Sequence, residues 1–341
     1  METERRGQRA ATRGTPRVGA GFSVATSSNR EVEEKATTRA ERATSLRDVG
    51  KMGSSKGKQL TAARYTADMN VTRTSAHVGF DVGATSMRIA RITADGVGEP
   101  RKVATPRDVQ EGVALLVQLI RESAESEPLA AVAGGVPAVV SEGRIYRVPN
   151  QEGWTNFNLR GALLDELGVA VEIHNDADMA ALGEATYGAG AGTRVVAYIG
   201  VGTGIGTARV VEGRIDSGAF DLEAGHHIIE AAAGKSLEEL VSGGAFSKRF
   251  GVHPRDVPRT EYEHETPMLA VGIYNTILHW SPEVVVLGGS MMNEENGYRL
   301  GDVVAALEKL PAIYPKLPEL RPAALHDNAG LHGARALLFG N

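Results

Sequence analysis

The pattern of hydrophobic and polar positions divides the chain into two parts. Residues 1–76 are rich in Arg, Thr, Ala, Ser and Gly and have almost no apolar periodicity, so we interpret most of this segment as disordered. From His77 onward, short apolar runs alternate with segments whose apolar residues have helical spacing. This alternation predicts strands mixed with helices, and therefore an α/β protein.

The second part contains a regular succession of predicted elements. Strands are predicted at 77–81, 87–93, 129–136, 169–174, 193–200, 207–211 and 283–287. Helices are predicted at 107–123, 159–167, 176–187, 236–241, 267–280, 302–310 and 330–339. Two segments have the same design: residues 77–92 and 195–211 both consist of a strand, a glycine turn and a strand. This repeat predicts a duplicated fold with a cleft between its halves, although hairpins are common on their own.

Length and composition narrow the class of protein. A chain of 341 residues fits two packed domains, and 42% hydrophobic with 23% charged residues is typical of a globular protein. The sequence contains no cysteine, which excludes disulfides, thiolate zinc sites and cysteine nucleophiles. It also lacks an 18-residue apolar run and a secretory signal, so we expect a cytoplasmic protein without a membrane partner.

The net charge of −5 is unevenly distributed. Residues 1–76 carry a net charge of +7, and the remaining 265 residues carry −12. An acidic body argues against nucleic acid as a partner. The basic segment could contact nucleic acid or an anionic surface, but we favour a solvated extension. An alternative hypothesis is that the natural start is Met69.

Both glycine turns have the composition of an anion site. The turn at 202–206 does not have the spacing of a dinucleotide-binding motif and precedes a strand, and no P-loop motif is present. Backbone N–H groups of the turn and the Thr203 hydroxyl could bind an anion. In the first turn, Asp81 could bind hydrated Mg²⁺ and Thr85 a phosphate oxygen. The alternative is two ordinary tight hairpins.

Two polar clusters are candidates for the chemistry. Asp176 follows an apolar strand and opens a helix, so it is either an N-cap or a general base, with Asn175 binding a substrate hydroxyl. Glu223 and His226 are three residues apart and could bind a metal, although hydrogen bonding to sugar hydroxyls suits them better. Ordinary core or surface histidines are the remaining alternative.

Taken together, these residues resemble the ROK proteins (repressor, open reading frame, kinase), which have the actin/hexokinase/Hsp70 fold. The resemblance runs from about His77 to Phe339. The motifs that carry it are Phe80–Thr85, Gly135–Pro137 with Asn150 and Gly153-Trp154, Asn175–Glu184, Gly202–Gly206, Glu223–His226 and Val286–Gly289. Of these, the segment from Asn175 is the most specific match.

The resemblance implies roles for individual residues. Asp176 would be the general base that takes the proton from a sugar hydroxyl. The sugar would be held by Asn150, Asn175, Glu223, His226 and Glu238. ATP and Mg²⁺ would be surrounded by Asp81, Gly83, Thr85, Gly202, Thr203 and Gly204, with Gly288 and Gly289 on the adenosine side. Asp81 would reach Mg²⁺ through water.

The sequence departs from the family pattern at one place. Many ROK proteins carry a cysteine zinc motif after the Gly-His pair, whereas this chain has a shortened stretch without cysteine at 230–236. No zinc site is therefore expected, and the orientation of His226 becomes an open question. Polyphosphate glucokinases also lack these cysteines, so polyphosphate remains an alternative phosphoryl donor.

The resemblance implies a two-lobed actin-like ATPase fold, which is a duplicated ribonuclease H-like fold with an interlobe cleft. The expected domains are an extension at 1–76, a first lobe at 77–174 plus 328–341, and a second lobe at 175–327. The implied function is ATP-dependent phosphorylation of a hexose at its 6-hydroxyl by a glucokinase-like enzyme, working as a homodimer. The alternatives are a sugar-responsive transcriptional regulator and a non-catalytic sugar-binding protein. Residues 1–76 lack the apolar pattern of a winged helix, which favours the kinase.

Overall fold

The structure, a computed structural model, describes residues 75–147, 152–216 and 218–340. The predictions for the basic extension up to residue 74 and for Asn150 lie outside the described residues.

Strands in the first half of the described chain form one five-stranded sheet and a small hairpin. They are β1 (Ala76–Val82), β2 (Ser86–Ile92), β3 (Arg101–Ala104), β4 (Leu129–Val136), β5 (Val139–Ser141), β6 (Arg144–Arg147) and β7 (Ala170–Asn175). The sheet has the order β3-β2-β1-β4-β7, and β5 pairs with β6. Within the sheet, β1 is antiparallel to β2 and parallel to β4, which is parallel to β7.

The second half forms a sheet of the same design. The strands of this sheet are β8 (Val195–Val201), β9 (Ile205–Val211), β10 (Arg214–Ile215), β13 (Val284–Gly288) and β14 (Glu319–Pro322). A separate two-stranded sheet pairs β11 (Ile228–Glu230) with β12 (Lys235–Ser236). The five-stranded sheet has the order β10-β9-β8-β13-β14, with β8 antiparallel to β9 and parallel to β13. The predicted repeat is thus confirmed, because each glycine turn joins two antiparallel strands at the same place in its sheet.

Eight α-helices cover these sheets in the described part of the chain. They are α1 (Val109–Ser123), α2 (Leu159–Leu167), α3 (Asp176–Tyr187), α4 (Leu237–Val241), α5 (Gly243–Phe250), α6 (Arg259–Trp280), α7 (Leu300–Leu307) and α8 (Ala329–Phe339). Side chains from α1 and α2 bury one face of the first sheet, and α3 and α8 contribute to the core on its other face. Another large core lies between α6, α7 and the second sheet.

The predicted start of α6 was wrong. The sequence pattern placed it at Pro267. A proline is costly in a helix interior and is tolerated in a first turn. The helix instead begins at Arg259 and contains Pro267. Its polar first turns are held by tertiary contacts: Tyr262 is 1% exposed, and Arg259 pairs with Asp302 of α7 at 2.7 Å. Helix α5 was not predicted at all.

Apolar residues of α6 lie in the protein's own core. Leu269, Ile273 and Ile277 are almost fully buried there. The apolar character of this helix is therefore accounted for within the chain, and the homodimer stays a prediction. Within the described ranges, no helix combines the length and apolar character needed to cross a membrane.

Helices α3 and α8 pack unusually closely between the two sheets. A Cβ atom on Gly333 of α8 would overlap the Met179 carbonyl oxygen of α3, and one on Gly183 of α3 would overlap the Ala329 carbonyl oxygen. The buried Glu184 carboxylate further accepts N–H groups of Ala324 and Leu325 at 3.1 and 2.8 Å. These contacts fix α3, whose first residue is Asp176.

Candidate active site

Asp176 stands at the junction of β7 and α3. The helix cap is its neighbour Asn175, whose Oδ1 accepts the N–H groups of Ala177 and Asp178 at 2.7 and 3.4 Å. The Asn175 amide nitrogen donates to the Ala138 carbonyl at 3.0 Å. Asn175 therefore has the capping role that we considered for Asp176, and much of its hydrogen-bonding capacity is used within the protein.

Glycines from both sheets allow the first turn of α3 to come close. A Cβ atom on Gly135 at the end of β4 would lie 3.1 Å from the Asp176 Cα atom. A Cβ atom on Gly206 of β9 would lie 2.9 Å from the Ala177 Cβ atom. Asp176 is thus held where the two halves of the molecule meet.

The surroundings of Asp176 make it a stronger base. Burial raises the pKa of the Asp176 carboxyl to about 7, and the negative charges of Asp81 and Glu223 add to this effect. A hydrogen bond from the Ala177 N–H works in the opposite direction, as does the position at a helix N-terminus. The effects of burial and of the like charges are larger, and the pKa of Asp176 therefore lies near neutral pH.

Asp81 lies at the end of β1, directly before the first glycine turn. Burial raises the pKa of its carboxyl, and Arg88, its antiparallel partner on β2, opposes this from 3.4 Å. In the turn, the Gly83 N–H donates to the Ser86 carbonyl at 2.9 Å, and Thr85 is exposed. Arg88 was not singled out from the sequence, although the register of the β1–β2 hairpin places it opposite Asp81.

The second glycine turn rests on the start of α5. Carbonyl oxygens of Gly202 and Thr203 each accept a hydrogen bond of 2.8 Å, from the N–H groups of Gly243 and Gly244. Thr203 itself is exposed. Sequence analysis missed this support, although Ser242, the N-cap before two glycines, was a readable helix start.

Gly288 and Gly289 lie beside the same turn. Gly289 has a φ of +87°, and a Cβ atom there would overlap the Val201 carbonyl oxygen. The Met291 N–H donates to that carbonyl at 2.9 Å, so the chain after β13 wraps around the end of β8. The two glycine segments that we assigned to nucleotide binding are therefore neighbours.

The three remaining sugar candidates lie close together. Glu223 Oε2 is 3.8 Å from His226 Nε2, and both side chains are partly exposed. Glu238 Oε2 accepts the Ile205 N–H at 2.8 Å, and a Cβ atom on Gly204 would lie 2.5 Å from that oxygen. Burial raises the pKa of the Glu223 carboxyl, the His226 charge opposes this, and Glu238 adds to it. Glu238 thus connects the glycine turn to the Glu223 cluster.

Asp221 is a further acidic residue of this region that sequence analysis missed. Its Oδ2 accepts the Val140 N–H of β5 at 2.7 Å, and it is hydrogen-bonded to Asp178. Burial raises the pKa of Asp221 to about 6. No motif marks it, because its partner Val140 is 81 positions away in sequence.

A phosphate chain and Mg²⁺ suit these residues. A Cβ atom on Gly202 would meet nothing closer than 3.9 Å, so there is open space above the turn. The Asp81 carboxylate is mostly buried, and Arg88, which lies 3.4 Å away, also pairs with Asp327 at 2.6 Å. A further cation would stabilise this carboxylate. Among the residues that the structure describes, no cluster of three or more His, Asp and Glu side chains could hold a metal.

Comparison with known proteins identifies this architecture. Two similar α/β sheets with glycine turns at their carboxyl edges define the two-lobed actin-like ATPase fold. The ROK family model matches residues 77–340, and the chain therefore belongs to the ROK family.

Several similar proteins carry the names of sugar kinases. The polyphosphate glucokinase of Mycobacterium tuberculosis is 27% identical over 264 residues, covering 75% of this chain and 88% of that protein. The ROK hexokinase of Thermus thermophilus superposes with a TM-score of 0.64 at 26% identity, covering 76% and 96% of the two chains. The inorganic polyphosphate/ATP-glucomannokinase of Arthrobacter gives a TM-score of 0.58 at 28% identity, covering 77% and 98%.

Proposed function

We propose that this chain transfers the γ-phosphoryl group of ATP to a hexose, at the 6-hydroxyl, with Asp176 as the general base. The proton of the sugar hydroxyl passes to the Asp176 carboxylate, the sugar oxygen bonds to the γ-phosphorus, and ADP leaves. Transfer of a phosphoryl group to a sugar is the chemistry that the names of these three relatives share.

The environment of Asp176 carries this proposal. A pKa of about 7 leaves a substantial fraction ionised at neutral pH and makes the carboxylate a better proton acceptor than an exposed aspartate. Phosphoryl transfer otherwise depends mainly on positioning and on neutralising charge. Asp176 is held at a fixed helix start, which meets the positioning requirement.

The sugar has candidate binding groups close to Asp176. Glu223, His226 and Glu238 offer acceptors and donors to sugar hydroxyls. Asn175, which we expected to hold the sugar, caps α3 and retains one amide hydrogen for such a contact. Asn150 keeps the role that the family resemblance gave it, as a proposal. Closure of the two halves around the sugar would exclude water from the reaction.

The phosphates of ATP would lie against the two glycine turns. Gly83 and Thr85 would contact them from one side, and Gly202, Thr203 and Gly204 from the other, with Gly288 and Gly289 near the adenosine. Asp81 would hold Mg²⁺ through water, and the ion would neutralise phosphate charge. Arg88, paired with Asp81, keeps that carboxylate oriented.

Release of ADP in the presence of ATP and Mg²⁺ tests the proposal. The acceptor panel is glucose, fructose, mannose, N-acetylmannosamine and N-acetylglucosamine, and polyphosphate replaces ATP in a parallel series. We expect turnover of a hexose and a loss of at least ~10²-fold in kcat for Asp176→Asn. Asp165→Asn, on an exposed position of α2, is the matched control and should keep full activity.

Two results would contradict this function. Turnover that survives in Asp176→Asn would remove the base from the mechanism. Absence of turnover with every sugar and both donors would favour the regulator or the sugar-binding protein, and sugar titration would then replace the kinetic assay.

A further inference from the structure

The hydroxyl of Thr207 is bonded to the chain on both sides of Glu223. Thr207 belongs to β9 and is 4% exposed. Its Oγ1 donates to the Leu222 carbonyl at 2.6 Å and accepts the Ala224 N–H at 2.9 Å. A single buried side chain therefore fixes the backbone immediately before and after Glu223.

The segment that follows is pressed against the same strand. A Cβ atom on Gly225 would overlap the Ile205 carbonyl oxygen and lie 2.9 Å from the Ile205 Cβ atom. The N–H of Ile205 in turn donates to Glu238 Oε2 at 2.8 Å. Strand β9 is thus the common support of the Glu223 segment and of Glu238.

The Glu223 side chain makes few contacts within the protein. It makes no capping hydrogen bond to the 3₁₀ turn Ala224–His226 that it precedes, and it forms an ion pair with His226 at 3.8 Å. The side chain is about one-third exposed. A fixed backbone beneath a side chain with open hydrogen-bonding capacity is the arrangement expected of a preorganised binding group.

We propose that Thr207 is a positioning residue, which places the Glu223 carboxylate for the acceptor sugar without touching the sugar itself. This inference rests on the proposed function, since it assumes that Glu223 binds the acceptor. No motif marks Thr207, because only the folded structure brings β9 against residues 222–224.

Loss of the Thr207 hydroxyl should lower kcat/KM by weakening the binding of the sugar. In Thr207→Val the side chain keeps its shape, but the Leu222 carbonyl and the Ala224 N–H lose their partner, so the segment must shift or admit water. Small misplacements of a binding group cost up to about 10²-fold in rate. We expect kcat/KM for the sugar to fall about 10- to 100-fold, mainly through KM, while KM for ATP stays within about twofold.

Three variants test this role in the full-length protein. Thr207→Ser keeps the hydroxyl and should restore the KM for the sugar. Thr276→Val is the matched control, because Thr276 is 2% exposed and donates to the Gly272 carbonyl within α6 at 3.0 Å. It should leave both KM values unchanged. Circular dichroism verifies folding, and Thr207→Ala takes the place of Thr207→Val if the latter does not fold.

A double-mutant cycle separates positioning from a general structural effect. If Thr207 acts through Glu223, then Thr207→Val should change the KM for the sugar by less than about twofold in a Glu223→Ala background, where no head group is left to position. Full additivity of the two changes would overturn the proposal. An unchanged KM for the sugar in Thr207→Val, or an equal rise in KM for ATP, would overturn it as well.

Failure of the proposed function gives a different result. In that case wild-type protein phosphorylates no sugar, and calorimetric titration of the acceptor panel replaces kinetics. Weaker sugar binding by Thr207→Val and recovery by Thr207→Ser would still support the positioning role. A wild-type protein that binds no sugar would overturn both proposals.

Discussion

At the scale of single residues, the chemistry of Asp176 depends on its neighbours. The sequence placed this carboxylate after a strand and at the start of a helix, a position that by itself would lower its pKa. Burial and the charges of Asp81 and Glu223 raise the pKa to about 7 instead. The two charges belong to residues that lie 95 positions before Asp176 and 47 positions after it, and the folded chain brings them together.

This environment predicts a pH dependence of activity. The base must be ionised to accept a proton, so kcat/KM should rise with pH to a plateau, with a midpoint near pH 7. In Asp81→Asn the midpoint should move to lower pH, because one negative charge beside Asp176 is removed. Rates measured from pH 5 to 9 give the midpoints.

The control for this profile is Asp95→Asn. Asp95 is exposed in the turn after β2, and its replacement should leave the midpoint unchanged. An unshifted midpoint in Asp81→Asn would mean that the Asp81 charge does not act on the base.

At the scale of elements, Asn175 joins β7, α3 and the turn before β5. Its Oδ1 caps the helix, while its amide group bonds the Ala138 carbonyl. The family resemblance assigned Asn175 to the sugar, and the structure gives it a role in holding the helix that carries Asp176. Both roles are compatible, since the amide has a second hydrogen.

Replacement of Asn175 should therefore lower the free energy of unfolding by more than the loss of a helix cap alone. Asn175→Ala should lower the free energy of unfolding by about 2–3 kcal/mol, because a cap contributes about 1 kcal/mol and an unpaired Ala138 carbonyl adds to the loss. Asn158→Ala removes only the cap of α2, a 3.1 Å bond to the Gly161 N–H, and should cost about 1 kcal/mol. Urea denaturation measures both, and equal losses would show that the Ala138 bond contributes nothing.

At the scale of the whole molecule, the two halves are joined through the close packing of α3 against α8. Helix α8 is the last described helix, yet it packs against α3, β4 and β1, which are all far from it in sequence. A Cβ atom on Gly330 would lie 3.3 Å from the Asp81 Cγ atom, so the start of α8 also borders the site. The first lobe of residues 77–174 plus 328–341 stays a prediction.

Enlarging a glycine in this contact should destabilise the protein. In Gly333→Ala the new methyl group overlaps the Met179 carbonyl of α3, and overpacking of this kind costs about 1–3 kcal/mol. Gly301→Ala in α7 is the matched control, since nothing lies within 4 Å of its added Cβ, and it should be neutral or stabilising by up to about 1 kcal/mol. Thermal unfolding compares the two, and equal melting temperatures would refute a close α3–α8 contact.

Much of the fold was predictable because local patterns agree with the final structure. Apolar runs and glycine turns predicted both hairpins, the helix opened by Asp176 and the repeat, since strand alternation and turn chemistry are local properties. The same patterns marked Asp81, the turn at 202–204 and the Glu223–His226 pair. Helix α6 shows the limit, because its first turns are held by Tyr262 and by Asp302 of another helix.

The sequence by itself thus determined the α/β class, the duplication and the residues that carry the candidate chemistry. Only the tertiary structure decided which carboxyl has its pKa raised to about 7, which asparagine caps the helix, that Thr207 holds the backbone around Glu223, and that Asp221 bonds to Val140. The physical reason is that pKa shifts and buried hydrogen bonds depend on distances between residues far apart in sequence, which no local pattern encodes.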